Sequence, residues 1–156
     1  MRSTVIFDSS SRAALGRRVT QNGLREFAAV VQKRVARGRA FSCLITGDAD
    51  LRRLNRQFRR KDYPTDVLSF PADSTVEVPS DERLIGELAI SADRALEQAR
   101  EWGHALGDEL KILMLHGVLH LLSMDHETDS GEMARAETRW RKALQLPTGL
   151  IERTRS

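Results

Sequence analysis

Short runs of β-prone residues alternate along the chain with longer stretches in which apolar residues recur at helical spacing. The β-prone runs predict four strands, at Thr4–Phe7, Phe41–Thr46, Val67–Phe70 and Leu84–Ile90. Residues 72–83 are polar and predict a long loop between the last two strands. Residues 9–21 carry no pattern that assigns them to an element.

Apolar residues three and four positions apart predict helices between the strands. A first helix should begin at a cap on Asn22 and end at Gly38, because asparagine favours the first position and glycine the end of a helix. A second helix should begin at a cap on Asp48. Its inward face is predicted to carry Leu51, Leu54 and Phe58.

The same spacing predicts three further helices in the second half of the chain. Ser91 should cap a helix that runs to about Trp102, and Asp108 should open the next helix. The pair formed by Asp129 and Glu132 resembles a capping box, which predicts a final helix. No repeat and no linker interrupts the pattern. We therefore predict one α+β domain over residues 1–156, a small four-stranded mixed sheet packed with about five helices.

Composition narrows the class of protein further. No apolar run approaches the roughly 20 residues that a membrane span needs, and no signal-peptide pattern opens the chain. Cys43 is the single cysteine and lies in an apolar run, which is typical of an inert buried thiol in a reducing compartment. We therefore expect a cytoplasmic protein without a membrane partner. The net charge of +3 weakly favours a polyanionic partner.

The densest chemistry lies in residues 113–126, which hold three of the four histidines. His116 and His120 are four residues apart, so a helix places both on one face. Apolar residues surround them almost completely, and buried imidazoles are costly without partners. The partners could be backbone carbonyls, with His126 on the surface. The third histidine, with Asp125 beside it, favours a metal ion as the shared partner. Asp125 would then either orient a ligand histidine or cap the turn.

The spacing of these histidines indicates what such an ion could do. Three imidazoles leave a tetrahedral zinc ion one open position, which is the catalytic arrangement. His116, His120 and His126 also match the ligand spacing of the long zinc-protease pattern H-E-x-x-H-x-x-G-x-x-H. That pattern requires a glutamate as general base after the first histidine, and this chain has Gly117 there. The spacing therefore predicts a metal site without peptidase activity.

A second informative stretch is strongly basic. Between positions 52 and 61 the chain carries Arg52, Arg53, Arg56, Arg59, Arg60 and Lys61. Guanidinium groups match pairs of phosphate oxygens, so this run suits contact with a nucleic-acid backbone. It is also compatible with a solvated helix face, and the composition does not choose between the two interpretations.

Together these stretches resemble the YbeY family of bacterial metal-dependent endoribonucleases. Residues 116–126 match the family pattern H-G-x-L-H-L-x-G-[YH]-D-H except at Ser123 and Met124. Residues 54–71 match L-N-x-x-[FY]-R followed by P-T-D-V-L-S-F-P, and residues 85–91 stand where the family has the strand G-[DE]-[IL]-x-I. The resemblance extends from about residue 22 to residue 146.

The resemblance implies one zinc ion per chain, bound by His116, His120 and His126, and hydrolysis of single-stranded RNA. It implies action in maturation of small-subunit (16S) ribosomal RNA and in ribosome quality control, with the small ribosomal subunit or its assembly factors as partners. It also implies catalytic roles for Arg59 and His116, a site in a basic cleft, and RNA contacts that we assign to Arg56, Arg59, Arg60 and Lys61.

The chain departs from the family pattern at two positions, and one alternative function remains. Where Ser123 stands the family usually has glycine, which we expect to supply a left-handed turn after the helix, at a cost to serine of roughly 1 kcal/mol or more. Met124 replaces an aromatic residue or histidine.

The alternative function is a ribosome-assembly binding protein with a mainly structural metal. A structural zinc site needs four protein ligands, and no cysteine or further histidine lies near the cluster, which favours an open site.

Overall fold

A mixed four-stranded sheet forms the centre of the molecule. A computed structural model of the chain describes residues 1–59, 65–72, 84–123 and 131–147. The strands of these ranges are β1 (Thr4–Phe7), β2 (Ser42–Thr46), β3 (Val67–Pro71) and β4 (Gly86–Ser91), in the order β1-β2-β4-β3. β1, β2 and β4 are parallel, and β3 pairs antiparallel with β4 at the edge of the sheet. The predicted α+β fold with its four-stranded mixed sheet is confirmed.

Six α-helices lie within the described ranges. They are α1 (Arg12–Leu15), α2 (Gln21–Arg34), α3 (Asp48–Arg59), α4 (Ala92–Trp102), α5 (Leu106–Ser123) and α6 (Glu132–Ala143), and a single 3-10 turn, Ser9–Ser11, precedes α1. The helix beyond the predicted five is α1, a single turn too short to produce a periodic pattern. The predicted loop over residues 72–83 lies almost entirely outside the described residues.

Several predicted helix ends are wrong. The hydroxyl of Thr20, not Asn22, caps α2 by accepting a hydrogen bond from the Gly23 amide at 3.0 Å. α2 ends at Arg34 instead of Gly38, because the chain already turns at Arg37, where φ is positive. α3 includes Asp48 as its first residue instead of starting after it. The predicted cap on α4 is confirmed, since Ser91 accepts from the Arg94 amide.

The two helices of the C-terminal half also begin elsewhere than predicted. α5 begins at Leu106, so Asp108 lies inside its first turn. α6 begins at Glu132 after Gly131, which caps it without a side-chain hydrogen bond, so Glu132 does not hold the capping-box position. Asp129 lies outside the described residues. α5 includes Ser123 as its last residue, and the turn expected after the helix lies outside the described residues.

α5 is the helix around which the main core is built. It packs against β3, β4, α2, α4 and α6, and Leu110, Leu113, Met114 and Val118 are fully buried along it. None of the helices in the described ranges combines the length and apolarity that crossing a membrane requires. Cys43 is buried in the same core, where loss of solvent raises the pKa of its thiol to about 12, as an inert thiol requires.

α3 covers the opposite face of the sheet from α5. Side chains alternate along β4, so Leu88 and Ile90 pack in the core of α5, whereas Ala89 packs with Leu51 of α3. Phe58, predicted to face inward, is 59% exposed because it lies at the end of α3 and covers only the edge strand. The basic helix and the histidine helix are therefore separated by the sheet.

A polar network anchors the first turn of α3 to the ends of the parallel strands. The hydroxyl of Thr46 donates to the Asp50 carboxylate at 2.6 Å and also lies 3.1 Å from the carboxylate of Asp8. On the other side of the turn, Asp48 accepts hydrogen bonds from the Ser91 hydroxyl and the Arg94 guanidinium. These contacts fix where the basic helix starts relative to the sheet.

Candidate active site

Two of the three predicted histidine ligands lie next to each other on α5. His116 and His120 are separated by one helical turn and both are half-buried. The side chain of His116 is 17% exposed, so its ring can be reached from solvent without leaving the core. The prediction that these two imidazoles share one face of a helix is confirmed.

A buried glutamate holds the ring of His116 in place. The Glu137 carboxylate lies 2.7 Å from His116 Nδ1, and the Glu137 side chain is only 2% exposed. An imidazole donates through Nδ1–H in this contact, which directs Nε2 to the opposite side of the ring. Carboxylates that bind the far nitrogen of a metal-binding histidine play this part in known metal sites.

Glu137 is a candidate site residue that the sequence interpretation missed, although the sequence contains a signal for it. α6 places Met133, Glu137 and Trp140 at spacings of four and three residues, so the glutamate lies on the apolar face of the helix. A glutamate on an apolar face needs a partner. The chain supplies it from α5.

The described residues hold part of the predicted metal-ligand set. Within them, no group of three or more histidine, cysteine or acidic side chains is placed to hold a metal ion. The third predicted ligand, His126, and its neighbour Asp125 lie outside those residues, as does Met124. The donors that are described fit zinc in chemistry, because imidazoles suit this ion and His116 has the carboxylate partner usual for a ligand.

Gly117 explains why the protease base is missing from this helix. A Cβ atom at position 117 would lie 2.7 Å from Leu88 Cδ2, which is too close unless the Leu88 side chain or the helix shifts. A glutamate could not be built at this position in the same packing.

Strand β3, which forms the end of the second family motif (residues 54–71), contacts the histidine helix α5. The Ser69 hydroxyl donates to the Gly117 carbonyl oxygen at 3.3 Å, directly beside His116. Phe70 is the next residue of β3. A Cβ atom added to Gly86 on β4 would lie 2.6 Å from the Phe70 carbonyl oxygen and 2.6 Å from Cδ2 of Leu121 on α5. The end of β3 therefore underlies the last turns of α5.

The arginines of the basic run project from α3. Arg52, Arg53 and Arg56 are exposed, and they line a depression of about 480 Å³ together with Asp48 and Ala49. Arg53 forms a long ion pair with Asp50, 3.5 Å between charged atoms. Arg59 is the last residue of α3, and Arg60 and Lys61 lie outside the described residues. α3, with its exposed Arg52, Arg53 and Arg56, lies on the sheet face opposite to α5, and β3 is the strand at the nearer edge between the two faces.

The fold and this arrangement define a class, an α+β domain with paired histidines on a buried helix and a basic helix across the sheet. The sequence model of the family described as Endoribonuclease YbeY matches residues 8–145. The chain therefore belongs to the YbeY family.

Individual relatives agree with this assignment. The chain is 59% identical over 133 residues to an endoribonuclease YbeY from Solibacter usitatus (strain Ellin6076), with 85% of each chain covered. It is 55% identical over 111 residues to an endoribonuclease YbeY from Koribacter versatilis (strain Ellin345), covering 71% of this chain and 68% of the relative. A solution structure of a Thermotoga maritima protein, 26% identical, superimposes with a TM-score of 0.54 over 88% of this chain and 85% of that one.

Proposed function

We propose that this protein is a zinc-dependent endoribonuclease that hydrolyses phosphodiester bonds of single-stranded RNA. The observation that supports it most directly is the contact between His116 Nδ1 and Glu137, because it orients an imidazole of the family motif as metal ligands are oriented. His120 lies one turn away on the same face, and His126 would complete a three-histidine set with one zinc ion per chain. Zinc at an open site of this kind activates water and polarises a phosphoryl oxygen.

The residues of this chain then have separate tasks. Glu137 accepts a hydrogen bond from Nδ1–H of His116 and keeps that ring in one orientation. Gly117 lets the histidine helix pack closely against the Leu88 side chain of β4. Arg56, Arg60 and Lys61 would bind the RNA backbone, and Arg59 would hold the scissile phosphate and stabilise the charge that develops there. Asp125, next to His126, would support that ligand.

The cellular substrate that we propose is the precursor of small-subunit (16S) ribosomal RNA. We further propose that the protein acts in the cytoplasm, in ribosome quality control as well as maturation, with the small ribosomal subunit or its assembly factors as partners. The family relationship supports this part of the proposal. The positive net charge and the exposed arginines of α3 are compatible with a ribosomal RNA surface.

The proposal is tested by measuring zinc content and RNA cleavage on the same preparations. The wild-type protein should hold about one zinc ion per chain and cleave an end-labelled single-stranded RNA faster than its duplex. His116→Ala, His120→Ala and His126→Ala should each lose zinc and cleavage. His104→Ala, which changes the histidine outside the motif, is the matched control and should keep both.

Two outcomes would contradict the proposal. Cleavage that survives His116→Ala would belong to a contaminating nuclease or to another site. A protein that binds RNA and keeps its zinc but never cleaves would instead support the alternative, a ribosome-assembly binding protein with a mainly structural metal.

A further inference from the structure

Phe58 is an unusual side chain for its position at the end of α3. It is 59% exposed, and among the large apolar side chains of the described residues only Met1 is more exposed. Its ring lies edge-on to Phe70, with ring centroids 5.5 Å apart and planes at 70°. This geometry is a favourable aromatic pair, and it gives the exposed ring a fixed support on the sheet.

The place of this pair in the fold connects the two halves of the proposed site. Phe70 belongs to β3, the edge strand between the face that carries α3 and the face that carries α5. Its neighbour Ser69 points to the other face and binds the Gly117 carbonyl beside His116. The backbone of Phe70 is therefore close to the histidine helix, whereas its side chain contacts Phe58. One strand separates the two surfaces.

The charge on the helix that carries Phe58 indicates which kind of ligand could bind to this ring. Arg52, Arg53 and Arg56 project from the outward side of the same helix, and Arg59 directly follows Phe58 in the chain. Surfaces that bind single-stranded nucleic acid combine such a basic track with aromatic rings on which bases stack. A protein partner with an apolar patch would gain little from this many arginines.

From these observations we propose that Phe58, supported by Phe70, is a stacking platform for one unpaired RNA base. The base would lie where the strand passes from the arginines of α3 over the β3 edge toward the histidines of α5. This inference rests on the proposed function and adds a position that binds any of the four bases, because every base has a π-face on which to stack. It accounts for how one RNA strand could use both faces of the sheet.

The test combines a side-chain change with removal of a base. Single-stranded oligonucleotides with one abasic position, moved stepwise along the strand, are titrated against wild-type protein and Phe58→Leu. For wild type, one abasic position should weaken binding about tenfold, within the range for one stacked base. Phe58→Leu should bind the intact RNA about tenfold more weakly and should show no further loss at that position. Phe58→Trp should restore binding, because it restores a ring.

Control variants separate stacking from simple loss of structure. Leucine keeps Phe70 covered, so Phe58→Leu should retain its zinc content and unfold near the wild-type temperature. Trp102→Leu removes another partly exposed ring, on α4, and should leave RNA affinity unchanged. If Phe58→Leu binds every oligonucleotide as wild type does, the inference is wrong and Phe58 only covers Phe70. Failure of the wild-type protein to bind or cleave any RNA would instead contradict the proposed function.

Discussion

The side chain of Leu88 on β4 packs directly against the backbone of Gly117 on α5. A Cβ atom at position 117 would come within 2.7 Å of Leu88 Cδ2, and Leu88 is only 2% exposed. The buried leucine side chain or the helix would have to shift to admit it. The distance between the histidine helix and the sheet is therefore set by the absence of a side chain at this one position.

Gly117→Ala is expected to destabilise the protein even though alanine is the better helix former. The added methyl group must displace Leu88 or lift α5, and overpacking of a core usually costs about 1–3 kcal/mol. Chemical denaturation measures the change. Gly107→Ala is the matched control on the same helix, because nothing lies within 4 Å of its added Cβ, and it should leave stability equal or slightly higher. An equally stable Gly117→Ala would show that the contact is not tight in solution.

Glu137→Ala should weaken zinc binding about 10–100-fold, the usual effect of losing a hydrogen-bond partner of a ligand histidine. Competition with a chromophoric chelator measures the affinity directly. The zinc affinity of Glu137→Gln should lie between those of wild type and Glu137→Ala, because the glutamine amide oxygen still accepts a hydrogen bond from Nδ1 but carries no charge. Glu109→Ala removes another buried glutamate, on α5, and serves as the control for lost stability. Equal zinc affinity in Glu109→Ala and Glu137→Ala would contradict a specific role for Glu137.

Arg59→Ala should lower single-turnover cleavage at saturating RNA by about a hundredfold, the scale for one lost donor to a developing charge. Folding and zinc content should remain unchanged. Arg56→Ala and Lys61→Ala are the comparison variants. They should weaken RNA binding modestly and reduce its salt dependence, as expected for lost backbone contacts. If more RNA restores cleavage in Arg59→Ala, then Arg59 contributes only to the general attraction of phosphate.

Acid should remove a stabilising contribution from Asp8. The hydrogen bond from the Ser10 hydroxyl and, in second place, the nearby Thr46 hydroxyl hold the pKa of Asp8 below its ordinary value of 3.8. A carboxylate with a lowered pKa stabilises the fold fully above 3.8, and that contribution disappears as the pH falls through the lower folded-state pKa. The stability difference between wild type and Asp8→Asn should therefore be constant near neutral pH and shrink below 3.8.

Urea unfolding at a series of pH values measures this difference. Ser10→Ala removes the strongest of the hydrogen bonds and should move the pKa of Asp8 back toward its ordinary value in a carboxyl NMR titration. A difference between wild type and Asp8→Asn that persists unchanged in acid would contradict this assignment.

The strands and the histidine helix could be predicted from sequence because their signals are local. β1 occupies the predicted residues, since alternation and flanking polar residues mark both of its ends. His116 and His120 share a face of α5 by helical spacing alone. These signals lie within each element and do not depend on which distant residues pack against it.

The features that sequence did not predict depend on contacts between distant residues. Glu137 becomes a site residue only because α6 packs beside His116, 21 residues earlier in the chain. Phe58 has the spacing of an inward residue, but the sheet ends beneath it at the β3 edge. Thr20 and Asn22 are both good capping residues, and only the backbone conformation at Thr20 decided between them.

The position of His120 in the last turn of α5 has an electrostatic consequence for the pair that it forms with His116. The aligned peptide dipoles of this 18-residue helix leave a partial negative charge, equivalent to about half an electron, at its C-terminal end. A divalent cation bound by these imidazoles would be attracted by that charge, whereas the phosphates of RNA would be repelled by it. The end of this helix therefore favours a cation over a phosphate, and any further positive charge for RNA would come from outside α5, where the exposed arginines of α3 carry it.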